Sequence, residues 1–122
     1  DTTDHWKSSV IGKPFNDFAT VAPSTGIWVN IRTADYFTVA GGVPEEVQIS
    51  LATGWNLVGF PSFRTDYEIV DLISDTQCVE MEGYSQLATP YHLKRLQPTD
   101  IMMAGTAYWV RVPADIVWNV EN

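Results

Sequence analysis

The chain has 122 residues, 45% of them hydrophobic and 18% charged, and a formal net charge of −8. That is enough apolar chain to bury one core without staples, and too much for a disordered segment. Seven Lys and Arg against fifteen Asp and Glu argue against a nucleic-acid partner and against an anionic membrane surface.

No run has the length of a membrane-spanning helix, and no charged-then-apolar stretch opens the sequence. The single cysteine, Cys78, excludes an internal disulfide and a cysteine-based metal site. It leaves the compartment open, because a secreted domain with a sufficient core folds without disulfides. The first residue is Asp1 rather than Met, so we expect a mature or excised piece of a longer protein.

Taken in order, the first apolar stretches, Trp6 to Ile11 and Phe18 to Val21, are weak strand candidates. A turn at Pro23 to Gly26 follows. Ile27, Val29 and Ile31 then alternate with Trp28, Asn30 and Arg32 in the period of a strand with one apolar face. Tyr36 to Ala40 is the next candidate and Gly41-Gly42 a turn. Val47 to Leu51 and Trp55 to Phe60 read as strands separated by Thr53-Gly54.

Helical spacing enters at Thr65 to Ser74. Thr65 is a capping residue, Glu68 lies three positions on, and Ile69, Leu72 and Ile73 share one face. We expect one short helix there, lying on a sheet edge or plugging a barrel end. Cys78 to Tyr84, Tyr108 to Val112 and Asp115 to Val120 complete the strand candidates, with turns at Ala104-Gly105 and Pro113.

The sequence repeats itself. APSTGIWVNIRTADYFTV, residues 22–39, matches MAGTAYWVRVPADIVWNV, residues 103–120, with Thr25, Trp28 and Val29 set against Thr106, Trp109 and Val110. One deletion then sets Ala34-Asp35 against Ala114-Asp115. A turn, a Trp-bearing strand, a second turn and a following strand recur together. We expect two related halves, about 1–45 and 46–122, within a single domain spanning 1–122.

The segment LATGWNLVGFPS, Leu51 to Ser62, and the later AGTAYWV, Ala104 to Val110, resemble modules with a GWNL(I/V)G(Y/F)P opening and a PG-x-G-Y-W-V closing. Such modules recur in large extracellular and cell-surface proteins of archaea and bacteria. The resemblance covers most of Pro44 to Asn122 and departs from the closing pattern at Ala104 and Ala107. It implies a mostly β, non-catalytic accessory module of a secreted multidomain protein, and it supplies no catalytic residue to carry over. Within Gly54 to Phe60 both faces are nearly apolar, which predicts a central strand buried on both sides.

Candidate chemistry centres on aromatic residues, since fifteen of the 122 residues are Trp, Tyr or Phe. Trp28 sits beside Asn30 and Arg32, and Trp109 beside Arg111, each on the polar face of its strand. An indole flanked by hydrogen-bonding groups suits a sugar ring, which stacks its C–H face and directs its hydroxyls. The competing reading packs both indoles into the protein with Arg laid over the ring. Tyr84, Tyr91 and His92 belong to a loop-rich stretch where binding residues concentrate.

Glu80 and Glu82 fall on one face of one strand and Glu45-Glu46 in a turn, neither suited to opposed acid/base roles. His5 and His92 are far apart, and no HExxH, calcium-loop, GxSxG or phosphate-cradle motif is present. We therefore expect no cofactor, no bound metal and no catalysis.

The fold these patterns predict is all-β, a barrel or sandwich of about eight to ten strands in two pseudo-repeated halves, with one short helix. The function they predict is an extracellular or cell-surface carbohydrate-binding module. Its partners would be a polysaccharide or cell-surface glycan and neighbouring domains of the parent protein. The candidate ligand residues are Trp28, Asn30, Arg32, Tyr84, Tyr91, Trp109 and Arg111. The alternative is a spacer or adhesion module with no small ligand.

Overall fold

A computed structural model describes residues 7–36, 38 and 40–122. Its regular elements are β1 (Glu46–Leu51), β2 (Gly54–Gly59), α1 (Ile69–Thr76), β3 (Glu80–Tyr84), β4 (Leu93–Arg95), β5 (Ala107–Val112) and β6 (Ile116–Glu121). They form two antiparallel sheets, β1-β6 and β2-β5-β3-β4.

The core lies between the sheets. Ile49 and Leu51 of β1 and Trp118 and Val120 of β6 face Val58, Met81, Tyr108, Val110 and Val112 of the larger sheet, and all are buried. Alternation in β5, with Tyr108, Val110 and Val112 inward and Ala107, Trp109 and Arg111 outward, is the period-2 pattern expected for a sheet buried on one face. Phe60, Tyr67 and Trp118 stack as a triad with ring centroids 5.3 to 6.2 Å apart. Burying Trp118 requires a partner for its indole N–H, and that group donates to the Tyr67 hydroxyl at 3.1 Å. The Tyr67 hydroxyl in turn donates to Asp75 Oδ2 at 2.6 Å.

The helix starts three residues later than the Thr65 cap predicts. Tyr67 is needed in the core, and Ile69 N–H is taken by Asp100 O at 2.9 Å. Glu68 is the cap, its N–H donating to Asp71 Oδ2 at 2.9 Å. Ile69 and Leu72 are buried as the spacing predicts, with Thr76 in place of Ile73 as the third buried position. The helix packs on β6 and ends at Gln77 in the left-handed region, φ 59°.

Three expectations are corrected. Of the two expected architectures, barrel or sandwich, the sheets form an open sandwich-like pair and no closed barrel, with six strands among the described residues instead of about eight to ten. β2 is an edge strand of its sheet rather than a central one. Its free edge is met by residues 24–25: Thr25 bridges to Val58, and Gly59 N–H donates to Ser24 O at 2.9 Å. A Cβ on Gly59 would meet Thr25 O at 3.2 Å and Pro23 O at 3.3 Å, so the glycine lets this segment approach a few tenths of an ångström closer.

The third correction concerns Ile27 to Arg32, which forms no strand, and the first half adds none to the sheets among its described residues. Lys7 to Ile11 and Phe18 to Val21 are also outside any strand. Trp6 of the first weak candidate, and Phe37 and Val39 of the Tyr36 to Ala40 candidate, lie outside the described residues. A strand needs another strand to satisfy its backbone groups, and the inward face of the first copy meets none.

Asn56 carries the polar work of the GWNLVGFPS segment. Its side-chain oxygen accepts Ala52 N–H at 3.0 Å, and its amide donates to Ala52 O at 2.8 Å and Gly54 O at 3.1 Å. This fixes the connection where the chain leaves one sheet for the other, with Gly54 at φ 99°. At the other end, the fully buried Ser62 hydroxyl donates to Glu121 O at 3.0 Å.

Candidate functional site

The outward face of the larger sheet positions the candidate residues by register. Leu57 of β2, Trp109 of β5 and Glu82 of β3 are set side by side, and Arg95 of β4 stands opposite Glu82. One row over, Trp55, Arg111 and Glu80 are aligned in the same way. Beyond the end of β5, the 103–106 turn closes with Thr106 N–H donating to Met103 O at 3.2 Å.

The first-half segment completes the site. Gly26 lies so close to Leu57 that a Cβ there would fall 2.6 Å from Leu57 Cγ, and this approach carries Trp28 over the sheet. Trp28 meets Tyr84 edge to face, with centroids 6.0 Å apart and planes at 71°, a favoured aromatic geometry. Together with Trp109 these rings line a cleft of about 430 Å³ whose other walls include Leu57, Leu93, Glu82 and Thr106. Small-ligand sites run from roughly 300 to 1,000 Å³. A second hollow, of about 800 Å³, lies toward β1 and shares Trp28, Leu57 and Trp109 with the first.

Three of the seven candidates named from sequence are therefore gathered in one place: Trp28, Tyr84 and Trp109. Trp28 and Tyr84 are about half exposed, at 51% and 59%, and Trp109 is half-buried in mid-strand. The other four do not line this cleft. Asn30 and Arg32 are exposed beyond Trp28, because a segment without strand pairing does not hold its alternate side chains on one surface. Tyr91 projects into solvent from the loop after β3.

Arg111 serves the neighbouring row. Its Nε stands 2.7 Å from Glu80 Oε2 and its guanidinium carbon 6.0 Å from the Trp55 ring centroid. The Nε makes no directed hydrogen bond despite that short separation, so the contact is an ion pair. Arg laid over an indole was the competing reading for Trp28 and Trp109, and the structure places that arrangement at Trp55.

Glu82 is the member that sequence reasoning passed over, having been assigned to a solvated face with Glu80. The two do share a face, but pairing sets Glu80 opposite Arg111 and Glu82 opposite Trp109. Only cross-strand register distinguishes them, and single-strand alternation carries no register. A half-buried carboxylate beside two or three aromatic planes accepts hydroxyl hydrogen bonds, and these are stronger than neutral ones.

Among the described residues no group of three or more His, Cys, Asp and Glu is placed to hold a metal ion. Cys78 is buried, which pushes its thiol pKa up and keeps it protonated. No described helix is long and apolar enough to cross a membrane. Comparison with protein-family models, with curated proteins and with solved structures yields no match.

Proposed function

We propose that this protein is a non-catalytic module of a secreted or cell-surface protein and that its aromatic cleft binds a sugar unit of a polysaccharide or cell-surface glycan. The observation that carries the reading is the convergence of Trp28, Tyr84 and Trp109 on one cleft beside Glu82 and Thr106. A pyranose offers an apolar C–H face and a rim of hydroxyls, and the cleft offers aromatic planes and a rim of oxygen acceptors. The net charge of −8 is compatible with a neutral glycan and disfavours a polyanionic one.

A native affinity gel against a panel of soluble polysaccharides tests this. We expect retardation by at least one glycan, weakened about tenfold or more by Trp28→Ala or Tyr84→Ala in variants that stay folded, given the energy of an aromatic contact and its buried area. No retardation by any glycan would overturn it.

A second reading, a spacer or adhesion module docking on protein neighbours, is favoured by one observation. Ile27, Val29, Ile31 and Tyr36 are all exposed within ten residues of one another, an apolar row that suits a protein partner.

A further inference from the structure

The exposed row Ile27, Val29 and Ile31 matches, position for position, Tyr108, Val110 and Val112. In the second copy these side chains are 5%, 0% and 1% exposed, whereas in the first they are 44%, 67% and 61% exposed. In the second copy β5 is hydrogen-bonded between β2 and β3, and its inward side chains share a core with Ile49, Leu51, Trp118 and Val120 of the β1-β6 sheet. β5 and β6 do not pair with each other, so such a segment cannot complete itself.

We propose that Ile27–Arg32 is the closing strand of a second β unit of the same kind, and that the surface it presents is made for strands equivalent to β2 and β3 of that unit. The inference goes beyond glycan binding and does not depend on it. An intact copy of the unit formed by residues 46–121 is not the partner, because its β5 already occupies the slot between β2 and β3. The partner is a unit with that slot open. The strands that flank β5 are β2 and β3, so the complement corresponds to residues 44–81, which carry β1, β2, α1 and the start of β3.

The local structure agrees. Thr25 N–H donates to Ala22 O at 3.0 Å as Thr106 N–H does to Met103 O, so the turn that launches the strand is formed. The strand itself, with an apolar face and no pairing, is left exposed.

The test extends the full chain with a second copy of residues 44–81 directly ahead of Asp1. Hydrogen exchange at Trp28 to Ile31 is expected to slow about a hundredfold or more relative to the unextended chain, the range that separates open from ladder-bonded amides. Val29→Asp in the extended chain should abolish that protection and leave β1 to β6 protected.

Cross-linking gives a second readout. By register Asn56 stands opposite Val110, so Asn56→Cys in the added copy and Val29→Cys, in a Cys78→Ala background, should form a disulfide under mild oxidation. Unchanged exchange at Trp28 to Ile31 with β2 and β5 still protected, or no cross-link, would overturn the proposal. Protection in the unextended chain that grows with concentration would assign the strand to a second copy and overturn it as well. Neither readout involves a glycan, so this inference and the carbohydrate reading fail separately.

Discussion

Residues 22–40 and 103–121 begin alike and then diverge. Both open with a turn closed by Thr25 or Thr106 donating three residues back, at 3.0 and 3.2 Å. Gly105, at φ 74°, supplies the positive φ of a type II turn, and Ser24 at the matched place does not adopt it. After the turn, the second segment pairs on both sides as β5 and continues into β6. The first crosses the edge of β2 at Thr25, and its described residues run on without strand pairing. A turn needs only its own four residues, whereas a strand needs neighbours at the right distance.

The sharpest way to break the comparison is at the anchor of the second segment. Trp118 is fully buried, stacked with Phe60 and Tyr67, and hydrogen-bonded through its indole N–H. Trp118→Ala should cost about 3–5 kcal/mol, with the Tyr67 hydroxyl also losing a donor. Denaturant unfolding followed by far-UV circular dichroism measures it, and a loss under about 1 kcal/mol would mean that the triad is not the centre of the core.

Next in size is the matched pair of valines. Val110→Ala removes two methyl groups from a fully buried site and should cost about 2 kcal/mol. Val29→Ala, at the equivalent exposed position, should stay within about 0.5 kcal/mol. Equal losses in denaturant titrations would show that the first copy is packed as the second is.

The smallest effect is electrostatic and sets Asp115 against Asp35. Asp115 Oδ1 accepts Thr53 N–H at 2.7 Å and the Thr53 hydroxyl at 2.8 Å, tying the β1–β2 turn to the β5–β6 turn. Asp35 Oδ1 accepts from the adjacent Tyr36 N–H, at 2.7 Å. The two Thr53 hydrogen bonds hold the Asp115 carboxyl below its usual range. A lowered folded-state pKa gives stability that is present above the unfolded value of about 3.9 and lost as pH falls through the folded one. Unfolding midpoints measured from about pH 6 down to about pH 3 should therefore fall less steeply in Asp115→Asn than in the parent. An identical slope in Asp115→Asn would remove the bond's role.

Much of the second half was legible in the sequence. The strands expected from Val47, Trp55, Tyr108 and Asp115 onward appear within two residues of their predicted starts, because strict alternation fixes both element type and buried face. β4 was missed: three residues, Leu93–Arg95, are too few to show a period. The helix was found but misplaced, since Thr65 is as good a cap as Glu68 until Tyr67 is known to enter the core. Trp109 was correctly put on the outward face with Arg111, yet which of the two would face the cleft was hidden in the pairing of β3 with β5.

The sequence by itself determined the β character, the presence of the helix, the turns at Pro23 to Gly26 and Ala104-Gly105 and the inward face of β5, because these follow from contacts within a few residues and from the period of side-chain direction. It also set two segments, residues 22–39 and 103–120, against each other on a few matched residues. Only the tertiary structure decided that one of them is a pair of strands and the other is not, that β2 is an edge strand, and that Trp28, Tyr84, Trp109 and Glu82 surround one cleft. Those outcomes depend on which strands meet and in what register, and that is a property of pairs of segments far apart in the chain.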